Sequence, residues 1–212
     1  MRIASLFAGR RESGDMVGRE KLTEQQAEAA SPARDSESVR IERIWAGPAR
    51  LGECPIWDDR RRRVFWIDSL EKRIWSAADD GSRLSHWTLP CAIGSLALCE
   101  DGRLLAALAD GFAFVDIAGD EPLVEWLGDP EPHLDDTRLN DGKVDRQGRF
   151  WCGSMNEDFA RPNASLYRLD HDLSWQKMDT GFTVSNGIAF SPDGRSLYFS
   201  DSRVDKSYRY DL

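Results

Sequence analysis

Val144-Asp145-Arg146-Gln147-Gly148-Arg149-Phe150 reads as the end of one β-strand, a tight polar turn closed by glycine, and the start of the next strand. The same order of residue types stands at Leu98-Cys99-Glu100-Asp101-Gly102-Arg103-Leu104 and at Phe190-Ser191-Pro192-Asp193-Gly194-Arg195-Ser196-Leu197. The turn glycines fall at 102, 148 and 194, 46 residues apart each time. An earlier copy, Ile56-Trp57-Asp58-Asp59 through Val64-Phe65-Trp66, keeps about this interval but lacks the glycine. Hairpins repeating at this period are the signature of propeller blades. A single blade cannot bury both faces of its sheet, so successive blades must stack. A β-sandwich would space such turns irregularly. The expected fold is therefore an all-β propeller.

Working outward, Val64–Ile67, Leu104–Leu108, Phe112–Val115, Arg149–Cys152 and Leu197–Ser200 are short apolar or aromatic runs bounded by Asp, Gly and Pro, and are predicted strands. Residues 41–212 then hold about four blades. That is either a four-bladed ring or a chain lacking its C-terminal third. Residues 1–40 balance seven basic against seven acidic side chains and offer little to bury, so they are predicted to be a disordered N-terminal extension.

The chain has 28 Lys and Arg against 37 Asp and Glu, a net charge of −9, which excludes nucleic acid and anionic membranes as natural partners. No apolar run approaches the ~20 residues of a membrane span. The expected location is cytoplasmic, as a monomer or weak homo-oligomer. Cys54, Cys91, Cys99 and Cys152 form no CxxC pair and His86, His133 and His171 are scattered, so a His/Cys zinc site is not expected. No Trp-Asp or Gly-His dipeptide recurs at the blade period, which argues against a WD-type scaffold.

Three segments depart from the plain blade pattern, each immediately before the first strand of a repeat: Leu51-Gly52-Glu53-Cys54-Pro55, Thr137-Arg138-Leu139-Asn140-Asp141-Gly142-Lys143, and Val184-Ser185-Asn186-Gly187-Ile188. First strands line the central channel, so matched positions point at one axial site. A carboxylate with amide or carboxylate oxygens from different blades suits a hard divalent cation. The plainer reading stands beside it. Asn140 and Asn186 also fit turn tripeptides, Glu53 a solvated loop acid, and Arg138 a surface charge. Asp68 and Asp201 read as caps of strand-end turns.

The segments LGECPIWD (51–58), VFWID (64–68), GSLALCEDGRLLAALADG (94–111), RLNDGKVDRQGRFWCGSM (138–155) and SNGIAFSPDGRSLYFSDS (185–202) resemble the senescence-marker-protein/gluconolactonase family, which includes regucalcin and bacterial sugar lactonases. The resemblance implies a six-bladed β-propeller with one divalent metal ion (Ca²⁺, Zn²⁺, Mn²⁺ or Mg²⁺) that hydrolyses sugar lactones to aldonic acids. By position it gives Glu53 and Asn186 as metal ligands, and Arg138 and Asn140 as residues holding sugar hydroxyls. Asp158 aligns with an acidic substrate contact, with Glu157 as its competitor. The remaining ligand, an aspartate that is also the general base, is expected beyond Leu212, near residue 240 on the 46-residue period. No residue here is assigned to it, and Asp193 and Asp201 are not substitutes. The competing expectation is a catalytically silent fragment, or a metal-binding propeller without enzymatic activity.

Overall fold

The structure, a computed structural model, describes residues 19–21, 41–45 and 47–212. Apart from Arg19–Lys21, the expectation for residues 1–40 lies outside these residues. Every regular element described is a strand, sixteen in all, arranged in four sheets of four. After β1 (Arg19–Lys21), the first blade is β2 (Gly52–Asp58), β3 (Arg63–Asp68), β4 (Arg73–Ala77) and β5 (Ser85–Thr88). The second is β6 (Ile93–Leu98), β7 (Leu104–Leu108), β8 (Gly111–Asp116) and β9 (Leu123–Gly128). The third is β10 (Thr137–Val144), β11 (Phe150–Asn156), β12 (Ala164–Leu169) and β13 (Trp175–Phe182). In the fourth, β14 (Ser185–Phe190), β15 (Ser196–Asp201) and β16 (Lys206–Asp211) are joined at the outer edge by β1, which pairs Arg19 with Tyr210 and Lys21 with Tyr208. The propeller read from the turn period is the fold observed, with four blades present.

The repeated turns do what their residue types require. Gly102, Gly148 and Gly194 take φ of 95°, 78° and 73°, a region that side-chain-bearing residues avoid. In the first blade Arg62 occupies that position at φ 53°, which is why the copy there lacks a glycine. The core lies between blades. Leu104, Ala106 and Leu108 of β7 pack with Phe65, Ile67 and Ile74 of blade one. The alternate residues Leu105 and Ala107 pack with Phe150, Cys152 and Tyr167 of blade three. A strand buried on both faces has no polar side, which explains the unbroken Leu-Leu-Ala-Ala-Leu run. Blades three and four meet through Trp151, Leu166, Phe182, Leu197, Phe199 and Tyr208. Each fully buried aromatic here contributes about 1.5–3 kcal/mol. Leu212, directly after β16, is held to the same blade: its side chain packs against this cluster and its N–H donates to the Arg195 carbonyl at 2.7 Å.

Asp68 and Asp201 are the caps that the sequence indicates. Asp68 accepts the N–H groups of Arg50 (2.9 Å), Leu51 (3.2 Å) and Glu71 (3.2 Å), and Asp201 those of Thr183 (2.8 Å), Val184 (3.1 Å) and Arg203 (3.1 Å). Burial works to raise the Asp68 pKa, but the three N–H donors outweigh it and hold the carboxyl below its ordinary 3.8. A depressed acid stabilises the fold above its unfolded pKa, and that contribution fades as pH falls through the lower folded value. Asp68→Ala orphans three donors. It is expected to lower stability by about 1–3 kcal/mol in urea unfolding at neutral pH, with a smaller difference from the parent at pH 3. An equal loss at both pH values would contradict the linkage.

Candidate metal and substrate site

The innermost strands β2, β6, β10 and β14 each carry one extra residue relative to the neighbouring strand. The slips fall between Glu53 and Ile56, Ile93 and Ser95, Leu139 and Gly142, and Asn186 and Ala189. Apart from Leu51 and Val184, the three departing segments therefore lie inside the innermost strands, at matched bulges, and not before them. A bulge breaks the alternation of side chains and re-aims them, so Asn140 and its neighbour Asp141 are not forced onto opposite faces. The reading of these tripeptides as turns has the same origin: the bulge uses the same residue types that a turn uses.

Close approach of the inner strands depends on glycine. A Cβ on Gly94 would meet the Asn140 Cα at 2.4 Å and its carbonyl oxygen at 2.5 Å. One on Gly153 would meet the Ser185 Cβ at 2.2 Å. With no side chain at either place, β6 packs on β10 and β11 on β14.

Arg138 is 8% exposed and Asn140 4%, which rules out a surface charge at the one and a solvated turn at the other. The Asn140 Oδ1 accepts from Arg138 Nη1 at 3.1 Å, and its Nδ2 donates to the Ser185 carbonyl at 2.8 Å. Its own carbonyl accepts from Ser95 Oγ at 2.8 Å. Asn140 thus ties β6, β10 and β14 together and retains one N–H of its amide. Arg138 Nη1 also donates to the Leu139 carbonyl at 3.1 Å. Burial lowers the Arg138 pKa, and the charges of Glu157 and Glu53 work against that shift.

Glu53, half-buried on β2, has its pKa raised by burial first, lowered by the Arg138 charge, and raised again by Asp141. Burial likewise raises Asp141, while its bonds with the N–H groups of Ile188, at 3.0 Å, and of Gly142 and Gly187 work against the shift. Asp141 is the acid near Glu53 that sequence reasoning did not single out. The signal was the Asn-Asp-Gly triplet itself, legible only if a bulge is known to sit there. Asn186 is half-buried on β14, and its Oδ1 accepts from the Gly187 N–H at 3.2 Å. Glu157 Oε1 stands 4.0 Å from Arg138 Nε with its side chain 54% exposed, and Asp158, one residue farther along the turn, is exposed as well. Asp193 is exposed and engaged with Ser191 Oγ (2.5 Å) and the Arg195 N–H (3.1 Å), in keeping with a turn role. The aspartate expected beyond Leu212 lies outside the described residues, which end at that leucine.

Among the described residues no three His, Cys, Asp or Glu side chains cluster as a metal site of their own. The donors to hand are the carboxylates of Glu53 and Asp141 and the amide oxygen of Asn186. All three are oxygen donors, and the two acids are partly buried, with the Arg138 charge working against the shift of Glu53 and the Lys143 charge against that of Asp141. That chemistry fits a hard divalent cation better than a soft one.

A family profile described as "SMP-30/Gluconolactonase/LRE-like region" matches residues 51–212. The chain is 36% identical over 165 residues to a 6-deoxy-6-sulfogluconolactonase of Pseudomonas putida, covering 78% of this chain and 56% of the relative. It is 37% identical over 158 residues to an L-arabinolactonase of Azospirillum brasilense, covering 73% and 52%. A solved structure described as a calcium-binding protein, regucalcin, from Agrobacterium tumefaciens aligns with a TM-score of 0.74 at 28% identity, over 80% of this chain and 56% of that one. The chain spans about half the length of the curated relatives it matches.

Proposed function

The chain belongs to the SMP-30/gluconolactonase/LRE-like family, and from that premise we propose that the protein hydrolyses a sugar lactone to its aldonic acid with the help of one divalent cation, Ca²⁺, Zn²⁺, Mn²⁺ or Mg²⁺. The observation that carries the reading is the burial of Arg138 and Asn140 side by side, with the charges of Glu53 and Asp141 close by, on the inner strands β2 and β10, which carry bulges at matched positions. Relatives named as lactonases support the reaction class.

Glu53 and Asn186 hold the cation in this reading, with Asp141 adding a second carboxylate. When bound, the cation supplies a Lewis acid for the lactone carbonyl and lowers the pKa of a water. Arg138 and Asn140 take the hydroxyls of a neutral, polar substrate through charged and amide donors, and Glu157 or Asp158 accepts from another hydroxyl. Water adds to the carbonyl carbon, and the ring C–O bond breaks. The ring oxygen leaves as a hydroxyl, with one proton transferred to it and one released by the acid formed. The proton acceptor is assigned to none of the residues up to Leu212, since Asp193 and Asp201 are engaged in turns. Thiol chemistry has no part in it, because burial pushes the Cys54 and Cys99 thiols up to about 12. All four cysteines are unpaired, which supports a reducing, cytoplasmic setting.

The test is hydrolysis of gluconolactone and pentonolactones followed by pH-stat, on chelated protein with and without added Mn²⁺ or Ca²⁺. Turnover above the spontaneous rate that requires the added ion is the expected result. Ion binding without turnover would favour a metal-binding propeller with no lactonase activity. Neither binding nor turnover would overturn both readings.

A further inference from the structure

Of the four innermost strands, β6 is the one to which no metal or substrate residue has been assigned. Its sequence, Ile93-Gly94-Ser95-Leu96-Ala97-Leu98, is apolar but for Ser95, and that serine is fully buried. A buried hydroxyl needs partners, and Ser95 finds them on the next blade. Its Oγ donates to the Asn140 carbonyl at 2.8 Å and stands 4.0 Å from Cys152 Sγ. A Cβ on Gly142 would fall 2.7 Å from the same Oγ, so the hydroxyl fills space that a side chain at 142 would need. Ser95 therefore reaches into the β10 bulge between Asn140 and Gly142.

That bulge is where the ladder gives least support. The register joins Leu139 to Ser154 and Gly142 to Cys152, and gives Asn140 and Asp141 no partner on β11. The Cys152 thiol lies 3.7 Å from the Asn140 carbonyl, and a thiol is a weak donor. The Ser95 hydroxyl is both the nearer and the stronger one. The carbonyl and the side chain of Asn140 leave one Cα, so fixing the first restricts the second. That side chain accepts from Arg138 and donates to the Ser185 carbonyl. We propose that Ser95 is a positioning residue, whose hydroxyl holds the β10 bulge so that the Asn140 amide stands beside Arg138 at the angle from which the two read sugar hydroxyls. The substrate part of this rests on the lactonase reading above; the positioning part does not.

The experiment compares Ser95→Ala with the pair Ser95→Thr and Ser95→Val, which match each other in shape and differ by the hydroxyl, in the purified chain. Ser165→Ala is the control, since it removes another buried hydroxyl, bonded to Thr180 Oγ1 at 3.3 Å on the outer part of the blade. Ser95→Ala is expected to raise KM for the lactone about tenfold with kcat within about twofold, and Val to exceed Thr by a similar factor. Hydrogen exchange of the Asn140 side-chain amide and of the Ile188 N–H, which donates to Asp141 at 3.0 Å, should speed up about tenfold in Ala and Val. Ser165→Ala should leave both readouts at the parent values while lowering the urea midpoint. Equal KM and exchange in Thr and Val, or an Ala variant that matches the control in both, would overturn the assignment. If the parent chain does not turn over lactone, the lactonase reading falls, and exchange at these two sites alone decides whether Ser95 positions the bulge. If Ser95→Ala does not fold, the Thr and Val pair decides by the same readouts; if none of the three folds, the hydroxyl is structural and the proposal is wrong.

Discussion

Glu53→Gln is expected to abolish stabilisation of the chain by Mn²⁺ or Ca²⁺ and to lower metal-dependent turnover by at least about 100-fold. Gln keeps the size of the side chain and one carbonyl oxygen but removes the charge that β2 brings to the site. The metal-free protein should respond in the opposite sense. Burial raises the Glu53 pKa, the Arg138 charge opposes that, and Asp141 adds to it, with a net upward shift. An acid with a raised pKa binds its proton more tightly in the folded state, so its contribution to stability is lost as pH rises. At neutral pH the ionised carboxylate is a burden on the apo fold, and Gln relieves it. The thermal midpoint without metal should therefore stay level or rise. A cation at a hundred times its Kd adds about 2.7 kcal/mol to the parent, and that increment should vanish in the variant. A variant that unfolds earlier without metal and still gains the full increment with it would make Glu53 a structural residue and remove the metal assignment.

How much of this was legible depended on whether a feature leaves a mark in residue type. The Asp-Gly turns did, because positive φ selects glycine, and their spacing gave the blades. The caps Asp68 and Asp201 did, since a short acceptor at a strand end has few other uses. Bulges left no such mark. Asn140-Asp141-Gly142 and Ser185-Asn186-Gly187 look like turns, and only the register slip shows them as strand. Asp141 escapes notice for that reason, because strict alternation puts neighbours on opposite faces. The fold of the turn after β11 was not legible either, because Asn156 bonds both the Ala160 N–H and the Asp136 carbonyl twenty residues earlier. The pairing of Arg19–Lys21 with β16 was also unreadable. Arg-Glu-Lys has little strand preference, and the open backbone edge of β16 supplies the partner groups.

Gly94→Ala is the substitution expected to damage fold and site together. The added Cβ would lie 2.4 Å from the Asn140 Cα, 2.5 Å from its oxygen and 2.6 Å from the Leu139 oxygen. All three are backbone atoms, so no flexible side chain can swing away and a strand must retreat. Overpacking of this kind costs about 1–3 kcal/mol, measurable as a lowered urea midpoint. Whichever strand gives way, β10, which carries Arg138, Asn140 and Asp141, shifts relative to β6, and the move strains the 2.8 Å bond from Ser95 Oγ to the Asn140 carbonyl. A displacement of about 1 Å in a substrate-binding group is enough for a loss of about 100-fold in turnover. The loss should persist at temperatures where the variant is fully folded, which separates misplacement from unfolding. Gly119→Ala is the control. Its nearest neighbour, the Glu121 oxygen, is an ordinary contact at 3.6 Å, so stability should change by less than about 0.5 kcal/mol. If Gly94→Ala matches that control in both midpoint and turnover, β6 does not hold β10 at the distance on which the site depends. The convergence of Arg138, Asn140 and Asp141 with Glu53 would then need another cause.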